Sequence, residues 1–178
     1  YRAASAPERR EVHRALAEAT DAVLDPDRRA WHRAYATSTP DEAVAAELER
    51  SAGRAQARGG LAAAAAFLQR AAELTPDPVP RAERSLAAAE AKLEVADATS
   101  ALDLLGAALV GPVDELRRAR IERLRAQIVF ATRRGRDAPP LLLEAARRLE
   151  PQDAARARET YLEAISATAG FPRGSKAE

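Results

Sequence analysis

Arg58-Gly59-Gly60-Leu61-Ala62-Ala63-Ala64-Ala65-Ala66-Phe67-Leu68-Gln69-Arg70-Ala71-Ala72-Glu73-Leu74-Thr75-Pro76-Asp77-Pro78 is the stretch that decides the fold. A glycine pair disfavours helix continuation and an X-Pro-X-Pro run ends it, so the residues between them read as one helix of about four turns. Leu61, Phe67, Leu68 and Leu74 are its large apolar residues, and alanines fill the rest. Such a stripe lets neighbouring helices approach closely. It has the character of the second helix of a stacked hairpin.

The same punctuation extends in both directions. Ser5-Ala6-Pro7-Glu8 has the form of a capping box, predicting a helix through Val12, Leu16, Ala19 and Val23 that stops near Leu24. Asp25-Pro26-Asp27 starts a short helix from Arg28 to about Thr37, with Trp31 and Tyr35 on one face and Trp31 locking this first pair together. Thr39-Pro40-Asp41-Glu42 opens a helix through Val44, Leu48, Ala52 and Ala55. Beyond Pro78, helices are expected through Leu86 to Leu93, from about Ser100, from Val113 to Arg133, after Asp137 to Leu149, and from Gln152 to about Ala169. Gly111-Pro112 breaks the chain, and a frayed tail is expected over 170–178.

Three second helices share a pattern. Ala64, Ala101 and Pro139 lie 37 and 38 residues apart; Leu68, Leu105 and Leu143 follow four positions later, and Ala71, Ala108 and Ala146 three after that. Pro76, Pro112 and Pro151 close the units. Small, large, alanine, proline is the second half of a tetratricopeptide-like repeat. The first halves match less well, since the unit from Ala82 places Ser85 and Lys92 at the outer positions. The expected fold is therefore all-α, a tetratricopeptide-like helical-hairpin solenoid of about nine helices in a single domain over 1–169, with an irregular helical bundle as the alternative. Beginning at Tyr1 and lacking methionine, the chain reads as a segment of a longer polypeptide.

Composition narrows the chemistry. Aromatic residues are 4% of the 178, cysteine is absent, and the net charge is +1. Close-packed alanine-rich helices fit the first; the second excludes disulfide and thiol chemistry and fits a cytoplasmic protein. No apolar run is long enough to span a membrane. The charge is uneven: Thr37 to Val110 carries 7 Lys/Arg against 11 Asp/Glu, and Gly111 to Glu150 carries 10 against 6. Blocks of this size either form solvated helix faces or steer a partner.

No catalytic, cofactor or metal motif emerges. A P-loop and a G-x-S-x-G elbow are missing, and His13 and His32 lack metal-ligand spacing, so both read as surface or helix-packing residues. Arg117, Arg118, Arg120, Arg123 and Arg125, with Arg133, Arg134 and Arg136, form a dense series. Asp114, Glu115 and Glu122 interleave with them, an i,i+4 pair such as Asp114 with Arg118 is expected, and no helix-turn-helix accompanies them, which argues against direct contact with nucleic acid.

The run Pro26-Asp27-Arg28-Arg29-Ala30-Trp31-His32-Arg33-Ala34, with Asp41-Glu42-Ala43-Val44-Ala45-Ala46-Glu47-Leu48 and its continuation through Gly60 to Pro78, resembles the helical region of large actinobacterial LuxR-family regulators. Asp114-Glu115-Leu116, the stretch Ala138 to Pro151 and the stretch Ala157 to Ala164 agree with it. Such regulators, similar in plan to the maltose-type activators, join an N-terminal ATPase of the signal-transducing class, a central helical repeat region and a C-terminal LuxR helix-turn-helix. The resemblance implies a non-enzymatic regulatory or sensor segment that binds an inducer or partner and controls the attached ATPase and DNA-binding domain. It implies no cofactor in this segment and transfers no functional residue.

The partners expected are other domains of the same polypeptide, together with an inducer or a protein. Glu49, Gln56, Glu83, Glu90 and Thr132, on the first helices of the pairs, are the candidate groove. The mechanism expected is a population shift in which a ligand favours one packing of the repeats. The alternative is a protein-interaction or dimerisation scaffold without a small-molecule ligand.

Overall fold

The computed structural model describes residues 4–110, 113–133 and 137–169, and over these residues the protein is all-α with nine helices and no strand. The chain divides into two compact units, Tyr1–Gly111 and Pro112–Glu178. The expectations for the Gly111-Pro112 break, for Arg134 and Arg136, and for the tail over 170–178 lie outside the described residues.

In the first unit, α1 (Ala6–Ala19), α2 (Pro26–Ala36), α3 (Glu42–Ala57), α4 (Leu61–Leu74), α5 (Pro78–Glu94) and α6 (Ala98–Ala108) follow one another, each packed on the next. Short polar side chains start most of them. Ser5 and Glu8 form a reciprocal capping box, and Asp25, Asp41, Asp77 and Asp97 each accept a backbone amide from the first turn, satisfying donors that the helix leaves orphaned. The cap of α3 is thus Asp41 alone; Thr39 and Pro40 precede the helix. Its amide donates to the Leu74 carbonyl at 2.8 Å, tying the start of α3 to the end of α4.

Three sequence expectations move. α1 ends at Ala19, short of Val23 and Leu24, because Thr20 bonds back to the Leu16 carbonyl and Asp21 accepts the amides of Val23 and Leu24. A side chain that captures nearby amides offers the backbone an alternative to the helix. Trp31 does not lock α1 to α2: it packs on a cluster of Ala34, Val44, Leu48 and Leu74, meeting Phe67 edge-on at 5.3 Å. α6 begins two residues earlier than Ser100, at Ala98, since Asp97 is its cap.

The connections α3–α4 and α5–α6 match bond for bond, 37 residues apart. Gly59 and Ala96 both have positive φ, +76° and +61°. Gly60 and Asp97 donate to the carbonyls of Ala55 and Lys92, and Gly59 and Ala96 to those of Gln56 and Leu93. This is the Schellman closure, which needs one left-handed residue just past the helix.

In the second unit, α7 (Glu115–Arg133) packs on α8 (Ala138–Leu149), and α8 on α9 (Ala154–Ala169). The carboxylate of Asp114 accepts the Arg117 amide at 2.7 Å and that of Asp153 the Arg156 amide at 2.9 Å. Ala126, Leu142, Ala164 and Ala167 form one apolar cluster; Ala119, Leu149 and Ala157 form another.

Here the repeat register is corrected. Leu143 is 36% exposed, while Leu142 is only 2% exposed. A buried series in two steps of 37 residues runs Ala64, Ala101, Ala138; Leu68, Leu105, Leu142; and Ala71, Ala108, Ala145, while Pro139 and Ala146 are buried as well, so Leu143 is the position that moves. The first helices keep the same step with buried Ala45, Ala82, Ala119 and buried Ala52, Ala89, Ala126. Alanine at these positions is what allows the helix axes to approach. The period is strict, carried by alanines at most of these positions and by leucine at one.

Candidate functional site

The aromatic side chains of the first unit gather on α1, α2 and α4. His13 and His32 face each other across α1 and α2, Nδ1 to Nδ1 at 3.0 Å. His13 stacks on Tyr35 with ring centroids 5.0 Å apart, and Trp31 meets Tyr35 edge-on at 5.2 Å. Trp31 and Tyr35 are one helical turn apart, as the sequence implied; His13 and Phe67 come from other helices. The Arg70 guanidinium of α4 lies 5.7 Å from the centre of the Tyr35 ring and donates to the Ala34 carbonyl at 3.0 Å. A cation over an aromatic face is attracted by the ring quadrupole.

Tyr35 and Arg70 form a partition between two hollows. One, of about 490 Å³, is lined by Arg9, Arg10, His13 and Thr37 together with the partition. The other, of about 240 Å³, is lined by Trp31, Gln69 and Glu73 with the same two residues. Three guanidinium groups and no carboxylate line the larger hollow. Arg9 donates to the Ala4 carbonyl, and Arg70 also pairs with Glu73 at 2.7 Å.

Burial holds the His32 imidazole below its ordinary proton affinity, and the neighbouring His13 pushes it the same way. A charge on a neighbour this close disfavours adding a proton to His32. The Nε2 atom of His32 is buried without a hydrogen-bond partner among the described residues.

Elsewhere in the unit, arginines are matched to carboxylates between helices. Arg29 and Arg33 of α2 pair with Glu47 of α3. Arg54 of α3 and Arg58, just past its end, pair with Asp27 of α2 at 2.6 and 2.5 Å. Burial raises the Asp27 carboxyl, but hydrogen bonds from Arg58 and Arg54 outweigh it and leave the group below its usual range.

The groove residues are placed as follows. Glu49 is exposed on α3 and accepts from Arg84 of α5 at 3.0 Å. Gln56 is exposed near the end of α3, while Glu83 and Glu90 are half-buried on α5 and both engaged. Thr132 is exposed on α7 of the second unit, its hydroxyl donating to the Ile128 carbonyl. None of the five lines either hollow. Arg9, Arg10, Tyr35 and Arg70 are the residues that the sequence did not single out as a site, because they come from three helices and share no spacing.

In the second unit the described arginines of the series divide: Arg118 and Arg125 are exposed, and Arg120 and Arg123 are half-buried. Arg117 is buried, and Arg123 of α7 pairs with Glu163 of α9 at 2.5 Å, with Gln127 donating to the same carboxylate. Among the described residues, no group of three or more His, Asp or Glu stands in metal-binding arrangement, and no helix is long and apolar enough to cross a membrane. Compared with protein-family models, with curated proteins and with solved structures, the chain has no match in any of the three.

Proposed function

We propose that this chain is a non-enzymatic sensor segment of a LuxR-family, ATP-dependent, DNA-binding transcriptional regulator of the cytoplasm, and that it binds an effector in the hollow beside Tyr35 and Arg70. The ATPase and helix-turn-helix belong to the parent polypeptide in this reading. The observation that carries it is the partition itself: an aromatic ring and a guanidinium, held by three helices, divide two hollows. Small-molecule sites combine an apolar or aromatic wall with a few convergent polar groups in this way. An effector wedged among α1, α2 and α4 stabilises one packing of the hairpins, and the attached domains respond to that choice.

A thermal-shift screen of the chain against metabolites tests the reading. At least one compound is expected to raise the melting temperature, with the rise lost in Tyr35→Ala. Failure of every compound, neutral or charged, defeats it.

A scaffold function is the second reading, and exposed apolar residues on α9 favour it: Leu162 and Ile165, one turn apart, are 59% and 62% exposed. Light scattering over a concentration series separates the two, since a scaffold that pairs with its own copy through this face gains mass with concentration and loses the gain in Leu162→Glu.

A further inference from the structure

Resting on the effector-binding reading above, we propose that the larger hollow takes a planar organic oxyanion, a ring bearing a carboxylate or phosphate. The charge of its wall is one-sided. Arg9, Arg10 and Arg70 reach it, and no Asp or Glu lines it. The inter-helix arginines elsewhere in the unit each have a carboxylate partner: Arg29 and Arg33 share Glu47, Arg54 and Arg58 share Asp27, and Arg84 holds Glu42. Arg10 is different: it is half-buried beside the hollow and has neither an ion pair nor a hydrogen bond among the described residues.

A guanidinium that has lost part of its water without gaining an anion is a ready acceptor of one, and its planar fork matches carboxylate and phosphate in two parallel hydrogen bonds. Arg9 spends a donor on the Ala4 carbonyl, a neutral group, so its charge stays uncompensated by that bond. Arg70 is partly neutralised by Glu73 and serves to hold the ring rather than the anion.

The organic part follows from size and from Tyr35. A volume of about 490 Å³ falls within the roughly 300–1,000 Å³ of small-molecule sites, more than a bare ion needs. Tyr35 is 43% exposed, and its hydroxyl has no partner among the described residues. A flat ligand gains contact with that ring while its anionic end lies towards Arg9 and Arg10.

Trp31 is the single tryptophan and touches Tyr35, so the protein carries its own reporter. The test is a titration of the full chain with phenyl phosphate, followed by Trp31 emission, alongside inorganic phosphate and the uncharged phenyl β-glucoside. A saturable response to phenyl phosphate is expected, at least about tenfold tighter than to either comparison compound. Arg10→Gln should weaken it about tenfold, the scale of one charge-assisted bidentate contact, while Arg118→Gln on α7 leaves it unchanged. Should Arg10→Gln lower the melting temperature, Arg9→Gln replaces it with the same expected direction.

No saturable response to phenyl phosphate overturns the proposal, as does equal weakening by Arg118→Gln, which means diffuse charge only. Equal binding of phenyl β-glucoside also overturns it and leaves the effector-binding reading standing. That broader reading falls only when the metabolite screen is empty as well.

Discussion

The Arg84 guanidinium of α5 holds both carboxylate oxygens of Glu42 on α3, Nη1 to Oε2 at 2.8 Å and Nη2 to Oε1 at 2.7 Å. Its Nε donates to Glu49 at 3.0 Å and its Nη1 also to the hydroxyl of Thr75, just past α4, at 2.8 Å. One side chain, 11% exposed, therefore joins three consecutive helices. Arg84→Met is expected to lower the unfolding free energy by about 1–3 kcal/mol, less than for a fully buried pair because both carboxylates are half in water. Urea unfolding measures it.

The same contact sets a pH dependence. Hydrogen bonding to Arg84 holds the Glu42 carboxyl below its ordinary range. The ion pair's contribution is then complete above the unfolded value of about 4.3 and is lost as pH falls through the lowered folded value. Urea midpoints of the wild type and Arg84→Met should converge as the solution is acidified. A gap that stays constant down through that range would show that Arg84 acts through packing alone.

Ala96 occupies the left-handed position that Gly59 fills one period earlier, at φ +61°. A Cβ there costs roughly 1–2 kcal/mol, and glycine gives part of the relief back through the freedom it adds to the unfolded chain. Ala96→Gly should therefore raise stability by about 0.5–1 kcal/mol, and Gly59→Ala should lower it by a similar amount. Denaturant midpoints of the two variants, moving in opposite directions, are the check.

The helical fold was legible because its signals are local: aspartates and prolines before helices, Gly59-Gly60 after one, and alanines at helical spacing. The period was legible too, but its last step was misplaced by one residue. Three consecutive leucines, Leu141, Leu142 and Leu143, offer alternative registers that periodicity alone does not separate, and the neighbouring pairs Ala138-Pro139 and Ala145-Ala146, all buried, fit either one. The end of α1 was missed because an Asx-type capture at Asp21 competes with helix over residues whose apolar pattern continues to Val23. The hollow beside Tyr35 was invisible for a different reason. Its arginines lie on helices separated by α2 and α3 in sequence, and only packing brings Arg10 and Arg70 to one wall.

His32 gives a second pH dependence of opposite origin. Its proton affinity is lowered in the fold by burial first, then by His13 and by Arg28, with Asp25 pulling weakly the other way. The unfolded chain thus takes up a proton more readily, near pH 6.5 for a free imidazole, and stability falls as pH drops through that value. Above it the group imposes no penalty. Unfolding midpoints should decline on acidification from neutrality in the wild type, and the decline should flatten in His32→Leu; an unchanged slope in the variant would clear the histidine pair of any part in it.

The register of α8 is the sharpest point of difference between pattern and packing. Leu142 sits in the cluster with Ala126 and Ala164 and is the 37-residue successor of Leu68 and Leu105, while Leu143 keeps over a third of its surface in water. Truncating a buried leucine removes its transfer free energy and leaves a cavity, a cost of about 2–5 kcal/mol. An exposed one on a helix, replaced by a residue of higher helix propensity, costs within about 0.5–1 kcal/mol. Leu142→Ala should therefore destabilise the second unit far more than Leu143→Ala. Equal losses, or a larger loss at 143, would place the buried large residue of α8 back at Leu143 and break the strict period.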